Sequence, residues 1–318
     1  GTGTHETWAE GQSYTGIDSC NNILIEGVTA HDSRAEVICV DYAEYITIRG
    51  CDTYNGAWSG ITVAHTQHSL IYNNNVEHCG ELPKAGYQMA RGINSIGSVD
   101  VSISNNWIRD CMSGGIGVNE TFGIVESDNI NIYDNHIINT IGDSGGIVVE
   151  SSDYGSYSTN INIHDNYINT DRHAKLDAGG SVVNNGDGTV TLPATYNGYR
   201  TGLSVKIEGT ANYNGTFTLQ NGTDDNHIVI SHGYVEEFFN GTETVSYATI
   251  GLWFEYVKNF NVRNNIVVPG AVNTGTYWCY VTTTAFDGLV QYNTYTPGTT
   301  YVNKGISVIF NGNGPIAP

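Results

Sequence analysis

The feature that most constrains this chain is a short pattern that returns at a nearly fixed interval. An apolar residue, any residue, Asn or Asp, Asn, any residue and a further apolar one appear as IYNNNV (71–76), ISNNWI (103–108), IYDNHI (132–137), IHDNYI (163–168) and VRNNIV (262–267), with a degraded copy, VQYNTY, ending at Tyr295. The aligned asparagines are Asn74, Asn106, Asn135, Asn166, Asn265 and Asn293, spaced by 32, 29, 31, 99 and 28 residues. Self-similarity at such a period marks stacked units, each of which buries its apolar face only against its neighbours.

Upstream, ILIEGV and ITIRGC carry Gly27 and Gly50 where later copies place Asn or Asp. These three residue types tolerate a left-handed backbone, so the exchange predicts a sharp turn at the same place in every unit. A second short strand follows each turn, then a loop of variable length, then a third strand often opened by glycine: GITVAH, GINSI, GIGVNE, GIVVE, GLWFE. Three short strands and one sharp turn describe a coil of a parallel β-helix, its strands pairing with the next coil at about 4.8 Å. The aligned Asn side chains would then stack and hydrogen-bond along the axis. A β-sandwich is the competing reading, but it calls for turns every ~8–12 residues without this shared register. Composition agrees with strands and tight turns: 39 Gly and 21 Tyr stand against 6 Pro and 2 Met, and no segment has the helical period.

The 99-residue interval holds text of another character. From Val183 to about Tyr247 the strands are longer, their turns are Asp-Gly, Asn-Gly and Glu-Gly, and the Asn motif is absent. The expected organisation is all-β: about eight coils over 1–182 and 248–318, interrupted at 183–247 by a small inserted antiparallel β domain. Two eroded coils are the alternative for that stretch.

Twelve Lys and Arg against 32 Asp and Glu give a net charge of −20. Such a surface repels nucleic acid and anionic membranes, so neither is an expected partner. It suits a secreted or cell-surface protein and can bind Ca²⁺, while no cofactor is required. The opening GTGTHETWAE has no initiator Met, signal peptide or membrane-spanning run, which reads as a processed or cut-out soluble piece. Sequons occur at Asn119, Asn214, Asn221 and Asn240, and in the last three Asn-Gly turn chemistry explains the sequence equally well. Six Cys without CxxC spacing argue against a zinc or redox site, and Cys79 and Cys111 fall at one position of adjacent coils as stacked thiols. A homo-oligomer is left open.

The coils resemble those of the pectin-lyase-like right-handed β-helix superfamily, which includes pectate lyases, polygalacturonases, alginate lyases and epimerases, α-1,3-glucanases and phage tailspikes. The resemblance implies right-handed coiling and a polysaccharide partner bound along a groove. It does not extend to the chemistry: the polygalacturonase NTD…DD…GHG…RIK set and the epimerase DPHE motif are absent. Within the group, the acidic, tyrosine-rich, sequon-bearing text with an inserted β segment is most similar to disaggregatases of methanogenic archaea, which degrade a chondroitin-like wall polymer.

Inward apolar pairs set the register of the third strand: Ile61/Val63, Ile116/Val118, Ile147/Val149 and Leu252/Phe254. Alternation then puts Thr62, Asn94, Gly117, Val148 and Trp253 in one outward column. The next outward column holds Asp41, Ala64, Asn119, Glu150 and Glu255. Asp18 would join the first column, and the entering loops add His31, Glu36, Trp58, Tyr87, Arg91, Asp110 and Asp143, with His65 at a strand end. Carboxylates here suit acid and base or nucleophile roles in glycosidic cleavage, and Asp143, Glu150, Asp41 and His65 are the catalytic candidates. Trp58, Tyr87, Arg91, Asn94, Trp253 and Glu255 are the substrate-binding candidates. Each has a plainer role: a turn for Asp143, exposure or a shared Ca²⁺ for Glu150 and Glu255, an ion pair for Arg91.

The leading expectation is a glycoside hydrolase acting on an acidic or amino-sugar polysaccharide. A polysaccharide lyase using His65 as base is the first alternative, and a non-catalytic glycan-binding surface or tail-fibre module the second.

Overall fold

The computed structural model describes residues 20–80, 91–111, 114–119, 126–140, 145–150, 156–170, 172–195, 199, 201–224, 226–247, 250–268, 277–297 and 299–315. Among them, three parallel sheets run the length of the molecule. The first has nine strands, from Cys20–Glu26 to Ile309–Asn311. The second also has nine, from Thr29–Ser33 to Gly314–Pro315, and the third has eight, from Ile38–Asp41 to Thr300–Asn303. Consecutive strands of one sheet come from consecutive coils, which is the topology of a parallel β-helix. No helix among the described residues is long and apolar enough to cross a membrane.

The core follows from alternation. Ile46 and Ile48, Ile130 and Ile132, and Ile161 and Ile163 point inward from the first sheet, Ile108, Ile137 and Ile168 from the second, and the expected apolar pairs from the third. They form one continuous cluster, and each fully buried Ile or Val contributes on the order of 1.5–3 kcal/mol. At the start of the third strand, Gly60, Gly92, Gly115, Gly146 and Gly251 stack because a Cβ there would strike the inward Val or Ile on the second strand of the next coil.

The corners are built from left-handed residues. Asn73, Asn105, Asp134, Asp165 and Asn264 stack between the first and second sheets with φ of 52–57°, and Gly27 and Gly50 take the place upstream, as expected. A second column creases every strand of the first sheet near its start: Asn22, Tyr45, His68, Asp100, Asn129 and Asn160 lead it, all with φ of 54–57°. Among the described residues 23 non-glycine residues are left-handed, nine of them Asn and six Asp. That bias is the one short polar side chains impose, since they hydrogen-bond locally in this conformation.

Next to the first corner lies the buried amide ladder. Asn135 Oδ1 accepts from both the main-chain N–H and the Nδ2 of Asn106, each at 3.0 Å. Its own Nδ2 donates to Ile103 O, Tyr133 O and Asn166 Oδ1 at 2.9–3.0 Å. The same bonds link Asn74 to Asn106 and Asn265 to Asn293. The ladder continues to Asn313, a rung the motif does not disclose, and begins at Cys51, whose N–H donates to Asn74 Oδ1.

Asn166 bonds directly to Asn265, so the 99-residue interval closes as one step of the ladder. In between, the chain leaves the coils. Arg172–Lys175 pairs antiparallel with Thr244–Tyr247, which continues to Ser204–Glu208 and Gly215–Thr218. A second antiparallel group joins Val183–Asn184, Thr189–Pro193 and His227–Ser231. These strands share a buried cluster of their own, in which the Tyr199 and Tyr213 hydroxyls donate to Val245 O and Val235 O. Cys79 and Cys111 are both buried free thiols.

Asn135→Ala strips the acceptor from two buried donors of Asn106 and a donor from three oxygens. We expect it to cost about 3–5 kcal/mol, read as a lower urea midpoint at unchanged slope. Asn313→Ala, at a half-buried terminal rung that water can reach, should cost under about 2 kcal/mol in the same measurement.

Candidate active site

The outward columns of the third sheet fall as the alternation requires. Thr62, Asn94, Gly117, Val148, Trp253 and Tyr280 are in register, and so are Asp41, Ala64, Ile96, Asn119 and Glu150. Glu255 follows directly, its N–H donating to Val149 O at 2.8 Å. Pointing outward does not mean meeting solvent, however: Thr62, Asn94, Asn119 and Val148 are all buried. The sequon at Asn119 is therefore a poor glycosylation acceptor in the folded chain.

Two sets of polar groups emerge on this face. The first is built around Arg91, which enters the third coil just before Ile93–Ile96. Its side chain is fully buried and reaches across the fourth coil to Glu150 on the fifth, with Nη2 2.6 Å from Oε1. The fourth coil lets it pass because it has no side chain in the way: a Cβ on Gly117 would stand 2.8 Å from Arg91 Cγ, and one on Gly114 3.0 Å from Cδ. Burial pushes the guanidinium below its usual pKa and the Glu150 carboxylate acts against that, so the ion pair supplies the charge that burial demands. One atom of the Asn119 amide lies 2.6 Å from Asn94 Oδ1 and the other 3.3 Å from Glu150 Oε1. Both contacts to Glu150 are at Oε1, and Oε2 carries no hydrogen bond from the described residues.

Glu255 sits one strand further along. Burial raises its pKa above the ordinary glutamate value, the nearby Trp253 indole N–H acts against this, and the negative charge of Glu150 adds to it. Two neighbouring carboxyls thus have different surroundings, one paired to a buried cation and the other favouring its proton. Among the described residues no group of three or more His, Cys, Asp or Glu is arranged to hold a metal.

The second set lies at the N-terminal end of the same column. His65 Nδ1 is 2.9 Å from Asp41 Oδ1, and the Tyr42 ring stacks on the imidazole at 4.6 Å. Asp41 and Glu150 are four coils apart, roughly 19 Å at about 4.8 Å per strand, so they are not an acid–base pair. Trp58, half-buried before Ile61–Ala64, belongs to this distant end. Asp143, Tyr87 and Asp18 lie outside the described residues.

Trp253 stacks on Tyr280 of the next coil at 4.8 Å and 11°. That distance is the coil spacing, so the rings turn their faces to each other and their edges outward. A ligand meets an indole and a phenol edge rather than a flat platform. Sequence reasoning missed Tyr280 and Lys304, whose ammonium is 3.1 Å from the Tyr280 hydroxyl. The alternation of Tyr277–Val281 carried a signal for Tyr280, whereas Lys304 follows a strand without any motif.

Residues 11–154 match the family model described as "Right handed beta helix region". The fold is a right-handed parallel β-helix. Among solved structures, the chain is similar to one titled "Glycoside hydrolase" (12% identity, TM-score 0.49, covering 88% of this chain and 38% of that one). It is similar also to the A-module of a mannuronan C-5 epimerase from Azotobacter vinelandii (11%, 0.46, 94% and 61%) and to a family 28 exopolygalacturonase from Yersinia enterocolitica (10%, 0.43, 93% and 45%). The chain thus spans between 38% and 61% of the length of these proteins. No curated protein sequence matches it.

The two carboxyls should separate in stability measurements. Glu150→Gln removes the carboxylate 2.6 Å from the buried Arg91 guanidinium and should cost about 3–5 kcal/mol. Glu255 behaves oppositely. Its folded pKa is raised, so its contribution is fully present below the unfolded value of about 4.3 and is lost as pH rises through the folded value. Glu255→Gln should therefore gain on the wild type as pH rises through that window, seen in urea midpoints taken from acid to neutral pH.

Proposed function

We propose that the chain is a polysaccharide-degrading glycoside hydrolase whose reacting groups are Glu150 and Glu255. The observation that carries this reading is the pair itself: two carboxyls on adjacent strands of one column, one ion-paired to the buried Arg91 and one with its pKa raised by burial. Sites that divide acid and base roles between two carboxyls differentiate them by their surroundings in this manner. Glu255 donates a proton to the leaving oxygen, and Glu150 presents Oε2 to the anomeric carbon while Arg91 and Asn119 hold Oε1. Adjacent strands about 4.8 Å apart favour the shorter of the two carboxyl separations known for glycosidases, about 5–5.5 Å, which corresponds to retention.

The substrate class we infer is an acidic or amino-sugar polymer met outside the cell. The narrower resemblance to disaggregatases points to a chondroitin-like wall polymer. Elimination is the second reading, and the Asp41–His65 contact favours it because a carboxylate at Nδ1 leaves Nε2 to act as base. A lyase must also neutralise the uronate carboxylate, and Arg91, the buried cation of the face among the described residues, is paired to Glu150 roughly three to four coils away.

The test is to incubate uronate- and hexosamine-containing polymers with the protein and weigh the released oligosaccharides. Hydrolysis adds one water per cut, while elimination leaves an ultraviolet-absorbing unsaturated uronate. Glu255→Gln, which should fold normally, is expected to lower depolymerisation by about 10²–10⁴-fold. Full activity in Glu255→Gln and in folded Glu150→Gln would reject this site, and an intact polymer throughout would favour a binding module.

A further inference from the structure

The outer face of the first sheet is a groove of its own. The crease at Tyr45, His68, Asp100 and Asn129 bends each strand outward near its start, and the ladder corner bends it again near its end. Between the two bends lies a trough one or two residues wide, repeated in every coil. Two depressions, of about 660 and 370 Å³, open along it and meet at Asp100.

Its floor changes character along the axis. Leu24, Thr47 and Leu70 line the first three coils, and Leu24 and Leu70 are exposed. Ser102, Asn131, Asn162 and Asn261 follow in the same register. The amides form an outward ladder, with Asn162 Nδ2 donating to Asn131 Oδ1 at 2.8 Å and Asn261 Nδ2 to Asn162 Oδ1 at 3.4 Å. The Asn131 amide nitrogen has no acceptor among the described residues. Aromatic rings border the trough: Tyr45 stacks with His68 along the first depression, and further along the axis Tyr133 stacks with His164 at the ladder-corner end of their strands.

We propose that this trough is a second, non-catalytic binding site for a neutral glycan chain. Main-chain groups here are consumed by parallel pairing on both sides, so an extended peptide has no strand edge to join. What the floor offers instead is amides and hydroxyls that both donate and accept, beside ring surfaces and exposed aliphatic groups. Sugar hydroxyls and acetamido groups need those donors and acceptors, and the C–H faces of pyranose rings suit Leu24, Leu70 and the tyrosines. The floor repeats at about 4.8 Å over many coils, which fits a linear polymer rather than a compact ligand. Charge argues for a neutral one over most of its length: Arg49 is taken by Glu26 and Tyr72, His68 and His164 are each beside an aspartate, Arg263 stands only at the far end next to His164, and the chain carries −20 overall. The site lies on a different sheet from Glu150 and Glu255 and does not depend on their role.

The test is fluorescence anisotropy with a labelled hexamer of N-acetylglucosamine and a labelled hexamer of galacturonate. The neutral hexamer should bind, and whatever uronate hexamer binds should be held elsewhere and keep its affinity when the trough floor is changed. Asn131→Trp and Thr47→Trp each place an indole on the floor at a surface position. Both should keep the wild-type thermal midpoint and lose at least tenfold in affinity for the neutral hexamer. The proposal is overturned if the neutral hexamer does not bind, if the floor variants weaken the uronate hexamer as much as the neutral one, or if both floor variants bind the neutral hexamer like the wild type.

Discussion

The buried amide ladder is the interaction on which the rest of the structure depends. A stack of parallel coils has no intrinsic register, because sliding one coil by two residues would still put apolar side chains inside. The Asn rungs remove that freedom. Each buried amide finds its full set of partners only when the next amide lies directly beneath it, and a rung out of place leaves donors and acceptors buried without bonds. Left-handed corners act beside it by turning every chain at the same step. Together they carry the register across the 99-residue excursion, where Asn166 meets Asn265 as if nothing stood between them.

That register is what turns distant residues into neighbours. Glu150 and Glu255 are on either side of the antiparallel strands in sequence, yet they occupy adjacent strands because their coils are one rung apart. Arg91 and Glu150 are two rungs apart, and they meet only because the coil between them presents Gly114 and Gly117 where side chains would block the path. The differing surroundings of the two carboxyls follow from this placement. One shares a buried ion pair, and the other is left to burial and to its neighbour's charge.

Legibility in the sequence tracked chemical uniformity. The ladder could be read because one residue type repeats, and the third-strand columns because inward Ile, Val, Leu and Phe alternate in every coil that set the register, Ser95 being the polar exception. The second crease could not, since its column mixes Asn, Tyr, His and Asp, which share a backbone conformation rather than a side-chain type. The candidate site was legible as a column but not as a set of contacts. Arg91 pairing across an intervening coil depends on side chains that are missing, and a gap leaves no periodic trace. Burial of Asn94 and Asn119, although they point outward, and the face-to-face stacking of Trp253 on Tyr280 likewise arise from tertiary cover and coil spacing that no single strand encodes. Asp41 and His65 were read into the same site because they share its column, but columns run the whole length of the molecule and proximity needs adjacent coils as well.

Glu150 and Glu255 thus form a single electrostatic unit delivered by adjacent coils. The most direct measurement is a carbon-13 NMR titration of the Glu255 side-chain carboxyl in the wild type and in Glu150→Gln. We predict a Glu255 pKa above the ordinary glutamate value in the wild type and a lower one once the Glu150 charge is removed. A Glu255 carboxyl that titrates like a free glutamate and does not respond to Glu150→Gln would show that the two carboxyls are not coupled.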